Sequence, residues 1–242
     1  MSWLDHAYAR VLNLKSRWES PRRWSRAGSR NEIRVDYGYD HIPEKGQFLS
    51  GGLVKVQDLQ TRFPNERSQP NLLYLVSSAL PHDAVIQAEA ARKAGGVVVL
   101  NQNGVGYPGW HGPGWEKFNR PMQRIHALAD FVVYQSAFCR AGAEAFLGKR
   151  TGLSSILHNP VDTSVFVPAQ QPPAKGPVLL LAGTHQFRYR VETAVQTLAR
   201  VAETLQDAKL HIAGQHTWMQ PGPAQEEIMI WAKSLGVEEK VV

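Results

Sequence analysis

From residue 33 onward, short runs of β-branched and aliphatic residues alternate with segments of helical periodicity. That alternation restricts the chain to an α/β fold built on a parallel sheet. Ile33–Asp36 reads as a strand and Gly52–Arg62 as the helix after it, with Leu72–Val76 as the next strand. Asp83 is a helix cap, and Gly95-Gly96 ends that helix before a strand at Val97–Leu100. Phe131–Tyr134 is a further strand, Ser136 caps a helix that stops at Gly148, and Leu153–Leu157 is one more strand. A pattern of this kind predicts helices on both faces of the sheet.

Residues 168–177 (PAQQPPAKGP) hold four prolines and no apolar periodicity, which is the composition of a linker. Beyond them Val178–Ala182 reads as a strand. The next helix carries Val191, Ala194, Val195, Leu198, Val201, Ala202 and Leu205 on one face. Lys209–Ala213 is a strand, Ile228, Trp231, Ala232 and Leu235 mark a helix, and Val241-Val242 reads as the start of another strand. The predicted organisation is therefore a flank over 1–30, an α/β domain over 31–167, a linker over 168–177 and a second α/β domain over 178–242. Two strand–helix units bury a parallel sheet poorly, so the second domain reads as incomplete and the chain as a fragment.

The flank is the one strongly charged stretch. It holds seven bases against two acids, and so +5 of the net +6, together with Trp3, Trp18 and Trp24. Two readings stand. Residues 2–20, ended by Pro21, form a membrane-surface helix with Trp3, Leu4, Ala7, Val11, Leu14 and Trp18 on one side; or that side packs on the first domain. No apolar run reaches the roughly 18–20 residues of a membrane span, and the N-terminus lacks the apolar stretch of a signal peptide. Cys139 is the sole cysteine, so an intrachain disulfide and a cysteine-based metal cluster are excluded. The expectation is a reduced cytoplasmic protein, with peripheral membrane contact through residues 1–30 as an option and no nucleic-acid partner.

In open α/β sheets ligands gather beyond the carboxyl ends of the strands, so the loops there are the candidates. Gly51-Gly52 follow Ser50 and open a helix, where backbone N–H groups and the helix dipole suit an anion; a plain flexible turn is the alternative. Neither Gly-x-Gly-x-x-Gly nor Gly-Lys-Ser/Thr is present there. Residues 101–114 (NQNGVGYPGWHGPG) offer amides and aromatic faces in Asn101, Asn103, Tyr107, Trp110 and His111. Those groups suit a sugar ring, and a structural loop is the alternative. His111 has no second histidine at ligand spacing, so no metal site is expected. No Ser-His-Asp or paired-carboxylate pattern is seen, and no catalytic side chain is assigned.

His158-Asn159-Pro160-Val161-Asp162, with Phe166 and Pro168, resembles the Asn-Gly-Val-Asp…Phe…Pro stretch of retaining glycosyltransferases of family four. The preceding ADFVVYQSAFCRAGAEAFLG is similar to that family's segment in which a strand ends in a serine that starts a helix. LLLAGTHQFRYRVETAV resembles the first strand, loop and helix of its donor domain. There Gly183 matches, Thr184 stands where arginine is usual, and no Lys-Gly follows. Lys209–Gly214 resembles the second donor-domain strand. The likeness spans about residues 33–242 and is clearest over 129–242.

The resemblance implies a GT-B architecture of two Rossmann-like domains, the second incomplete. It implies sugar transfer from a nucleoside-diphosphate sugar to a hydroxyl of a glycan or lipid-linked acceptor, with retention and without cofactor or metal. A diphosphate oxygen would serve as the base. Gly51, Gly52, Gly183, Thr184, Arg188 and Arg190 fall to the donor diphosphate, the two arginines as displaced cations. Asn101, Asn103, Tyr107, Trp110 and His111 fall to the acceptor or sugar, and Asn159 and Asp162 to the motif. The family's paired glutamates would fall after Val242. A nucleotide-sugar epimerase and a non-catalytic sugar- or partner-binding protein of the same fold are the alternatives.

Overall fold

The computed structural model describes residues 3–24, 32–45, 47, 49, 51–168, 170, 176–185, 188–215 and 223–242. They form two compact units, Met1–Pro160 and Val161–Val242.

The first unit is built on a five-stranded parallel sheet, β1 (Val35–Asp36), β2 (Leu72–Val76), β3 (Val97–Gln102), β4 (Phe131–Tyr134) and β5 (Leu153–Ile156), in the order β1-β2-β3-β4-β5. Its helices are α1 (Trp3–Trp24), α2 (Gly51–Gln60), α3 (Ala84–Lys93), α4 (Pro108–His111), α5 (Trp115–Leu128) and α6 (Ala137–Phe146). Strand alternation sends Leu73, Leu75, Val98, Leu100, Val132 and Tyr134 to one face, where they are buried with Ala84, Ala88 and Ala91 of α3, Met122 and Ile125 of α5 and Ala143 of α6. Leu73, Leu75, Leu100 and Ile125 are each at most 1% exposed, and burial on that scale contributes roughly 1.5–3 kcal/mol per side chain. Leu72, Tyr74 and Val76 point the other way and pack with Val56 and Leu59 of α2.

The position of α2 follows from the path of the chain. Val35 bridges Asn65 in parallel, and its carbonyl accepts the Glu66 N–H at 2.8 Å, while the neighbouring Arg34 carbonyl accepts from Leu72 on the β2 side. Successive carbonyls of a strand point to opposite sides, so Asn65 lies on the edge of β1 away from β2. The chain thus leaves β1 through α2, touches down on that outer edge, and only then crosses to β2. Right-handed crossovers taken in opposite directions put their helices on opposite faces, and the winding reverses at β1.

Several expectations need correction. Cover on the α2 face is confined to the β1–β2 side: Val97 is 38% and Leu153 72% exposed. Ile33 precedes β1 and is exposed. α5 has no counterpart in the sequence reading, although Trp115, Phe118, Met122 and Ile125 recur at helical spacing; Pro121, inside the helix, masks the pattern. α1 does not stop before Pro21 but runs through it to Trp24. A proline inside a helix costs about 3 kcal/mol or more. That loss is offset by Trp24, which is fully buried, and by the Arg23–Asp36 ion pair at 3.3 Å. Asp36 is fully buried at the end of β1 and also pairs with Arg67 at 3.0 Å, and its Oδ1 accepts the Gly38 N–H at 2.7 Å. Burial still pushes its carboxyl above the usual aspartate value, against the pull of Arg67, the Gly38 bond and Arg23.

The second unit contains β6 (Val178–Thr184), α7 (Arg188–Ala202), β7 (Lys209–Gln215) and α8 (Gln225–Ser234), with β6 and β7 parallel. Val195 and Leu198 of α7, Leu210 of β7 and Ala232 of α8 form its core. Leu205 lies beyond the end of α7 and is half exposed, so the predicted apolar face ends earlier than its spacing suggests. Val241 bridges Leu210 in parallel.

Candidate functional site

The winding reversal places the crevice of the first unit between the start of α2 and the segments that leave β2, β3 and β4. A cavity of about 340 Å³ there is lined by Gly51, Gly52, Lys55, Ser78, Asn103, Gln135 and Asn159. It shares Ser78, Asn103 and Gln135 with a second, mainly apolar groove of about 840 Å³ that runs along α6 toward α4 and α5.

Lys55 is the charged centre of the smaller cavity. Its ammonium donates to Asn101 Oδ1 at 3.3 Å, Asn103 Oδ1 at 3.0 Å and Gln135 Oε1 at 3.2 Å. All three acceptors are neutral, and no carboxylate among the described residues pairs with Lys55. The amides are fixed from behind. Asn101 Nδ2 donates to the Tyr74 hydroxyl at 2.9 Å, and Asn103 Nδ2 to Ser78 Oγ at 2.6 Å. An amide that donates on one side presents its oxygen on the other, so the polar framework is set for a cation. Burial holds the Lys55 ammonium below the usual lysine value, with nearby Cys139 opposing. A desolvated cation near a helix N-terminus also works against the helix dipole. Such a charge is stabilised by an incoming anion.

The two glycines that open α2 differ. A Cβ on Gly52 would sit 2.6 Å from Ser78 Oγ and 2.9 Å from Ala79 Cβ, so glycine there serves the packing of α2. A Cβ on Gly51 would meet nothing within 4 Å except the cavity. Ser50 lies outside the described residues.

The loop after β3 is clamped by Asn119, whose side chain accepts from Gly106 N at 2.8 Å and donates to Gly106 O at 2.9 Å. Asn103, Tyr107 and Trp110 line the larger groove, Tyr107 stacked on Phe146 at 5.8 Å. Asn101 is buried beneath and reaches the cavity through Lys55. His111 packs on Phe118 at 4.7 Å and lines neither cavity.

Asn159 reaches the small cavity, whereas Asp162 belongs to the second unit and accepts from Ser164 N at 3.0 Å and Ser164 Oγ at 2.6 Å, as a turn residue does. Gly183 (φ +124°) and Gly214 (φ +144°) are the next-to-last residues of β6 and β7, where a side chain on Gly214 would collide with the Gly183 carbonyl. The Thr184 backbone pairs with Gln215. Arg188 forms an ion pair with Glu227 and lies over the Trp231 ring at 5.9 Å; Arg190, two residues on, is exposed.

Sequence reasoning missed Lys55, Gln135 and the buried His185, whose Nε2 lies 3.1 Å from Ala213 O. A signal existed for Lys55, a base one turn after the glycine pair on a short helix with no acid in its first turn. Among the described residues no group of three or more His, Cys, Asp or Glu could hold a metal ion, and no helix is long and apolar enough to cross a membrane. No protein-family model matches the chain, and no curated protein matches it.

Proposed function

We propose that the chain belongs to a retaining glycosyltransferase of family four with the GT-B arrangement. The first unit supplies the acceptor side, and the second is the beginning of a donor domain. One observation carries this reading. Gly51, Gly52, Asn103 and Asn159 come from three separate segments of the sequence, the start of α2 and two loops, and all line one cavity at the winding reversal. That cavity combines a helix N-terminus with a lysine that has no carboxylate partner among the described residues, which suits a phosphate group of the reacting pair. Transfer then needs no side-chain nucleophile. The acceptor hydroxyl attacks from the face the nucleoside diphosphate leaves, a diphosphate oxygen takes its proton, and fixed cations and N–H dipoles offset the departing charge.

The engagement of Arg188 by Glu227 and Trp231 favours a second reading, in which the fold binds its ligand without transferring sugar. Equilibrium dialysis with uridine and guanosine diphosphate sugars, with and without chelator, tests both. This chain by itself is expected to be inactive; in a version with the donor domain complete, chelator-insensitive binding followed by release of nucleoside diphosphate supports transfer, and binding without turnover supports the second reading. Binding that chelator abolishes and added metal restores would overturn the GT-B reading.

A further inference from the structure

The groove beside the small cavity is made for something apolar. Its wall carries Tyr107, Phe118, Met122, Phe138 and Phe146, and its few polar groups gather at the Ser77–Ser78–Asn103–Gln135 end. Phe138 is 77% and Phe118 46% exposed, as is 54% of Trp110, so three large rings stand open to solvent along one cavity. Contiguous exposure of this kind marks a binding surface, whereas scattered apolar residues do not. The polar end is the wall shared with the Lys55 cavity, so a single molecule can fill both. A bare glycan fits poorly, because its hydroxyls would face aromatic carbon along most of the groove.

We infer that the two cavities together hold one amphiphile, a phosphate ester whose anion meets Lys55 and the N-terminus of α2 and whose alkyl or aryl body lies along Tyr107, Phe118 and Phe138. Charge complementarity fixes the polar end: among the described residues Lys55 donates to neutral oxygens alone, and a phosphate oxygen that takes over one of its three N–H donors supplies the missing negative charge. The inference names the acceptor class of the proposed transfer and moves Gly51 and Gly52 from the donor phosphate to the acceptor phosphate. It rests on the transfer reading only in calling this ligand an acceptor. The binding itself requires no nucleotide sugar.

The test uses the whole chain with decyl phosphate, 1-decanol and inorganic phosphate below micellar concentrations, and UDP as competitor. Cys139 is the sole cysteine and lines the groove, so occupancy is read as slowed maleimide labelling alongside calorimetric titration. Decyl phosphate should bind at least about tenfold tighter than decanol, the ratio expected for one charge-assisted contact. Lys55→Met should erase that advantage without weakening decanol, and Lys55→Arg should keep it. Gly142→Phe should weaken both alkyl probes, since a Cβ at 142 meets only Val105 at 3.5 Å and a ring there would enter the groove. Thermal melting of each variant separates lost binding from lost folding.

Decanol binding as tightly as decyl phosphate overturns the inference, as does inorganic phosphate matching the ester, or an advantage that survives Lys55→Met. UDP that displaces decyl phosphate while binding more tightly would return the site to the donor. Failure of every alkyl probe removes the acceptor assignment and leaves the nucleotide-sugar dialysis to stand by itself.

Discussion

Gly51→Ala and Gly52→Ala are adjacent, chemically identical changes whose consequences should separate completely. At position 52 the new methyl would lie 2.6 Å from Ser78 Oγ and 2.9 Å from Ala79 Cβ. The serine hydroxyl also accepts from Asn103 Nδ2 at 2.6 Å, so rotating it aside breaks the amide framework around Lys55. Overpacking of this kind costs about 1–3 kcal/mol, against which alanine returns up to about 1 kcal/mol of helix propensity. A net loss of about 1–2 kcal/mol is therefore expected for Gly52→Ala. At position 51 the methyl meets no protein atom within 4 Å, so stability should be unchanged or higher by up to about 1 kcal/mol. The same methyl covers the backbone where an anion must approach, and one lost charge-assisted contact is worth roughly tenfold in affinity. Urea denaturation gives the two stabilities, and calorimetric titration with pyrophosphate gives the anion affinity. Gly51→Ala that binds pyrophosphate within about twofold of the parent would refute the site argument. An unperturbed midpoint for Gly52→Ala would refute the packing argument.

His126 lies with Nε2 2.8 Å from the Tyr134 hydroxyl, and burial, with a smaller push from Arg150, holds it down to about 4. An unfolded imidazole titrates near 6.5, so between about pH 6.5 and 4 the unfolded chain takes up a proton that the folded one refuses. Stability should fall as pH falls through that window, by up to about 3 kcal/mol at its acid end, and urea midpoints of His126→Gln should vary less; parallel pH profiles would contradict this. If a displaced cation holds the donor diphosphate, Arg188→Ala or Arg190→Ala should lower nucleoside-diphosphate affinity about tenfold, and two variants within about twofold of the parent would end that idea. The described part of α1 turns Leu14 (68% exposed) and Trp18 (60%) outward, with Arg22 over the Trp18 ring at 3.3 Å. Pelleting with anionic liposomes should drop in a Leu14→Ser/Trp18→Ser variant. Point changes are required, because deleting residues 1–30 would remove buried Trp24, and equal pelleting would leave this helix without a membrane role.

The α/β class, the run of strands and the helix caps were legible because each rests on local spacing. Ser136, for example, accepts the Cys139 N–H as its position predicts. Asp83 caps α3 through no side-chain bond to its backbone; it accepts instead from Gln87 Nε2 at 2.7 Å. What escaped the sequence depends on tertiary compensation. Pro21 and Pro121 stop a helix by local rules, yet both helices continue, α1 because Trp24 is buried and α5 because Met122 and Ile125 are. The candidate site was half legible. Glycine pairs and amide-rich loops stand out in one dimension, whereas Lys55 acquires meaning only when strands far apart in sequence bring Asn101, Asn103 and Gln135 around it. His111 shows the converse, a residue conspicuous in the loop that the fold turns toward Phe118.

Gly96 and Trp24 carry a consequence for variation in this sequence. A Cβ on Gly96 would lie 2.8 Å from the Trp24 ring, and Trp24 Nε1 is buried without a hydrogen-bond partner among the described residues. The two positions therefore form a lock whose halves change together. Alanine at 96 is admissible only with a smaller ring at 24, and phenylalanine at 24 both makes that room and removes the orphaned N–H. In divergent copies of this chain the pair should be inherited as Trp with Gly or Phe with Ala, seldom mixed. A double-mutant cycle between Trp24→Phe and Gly96→Ala should give a coupling of about 1–2 kcal/mol, with the double variant more stable than the Gly96→Ala single.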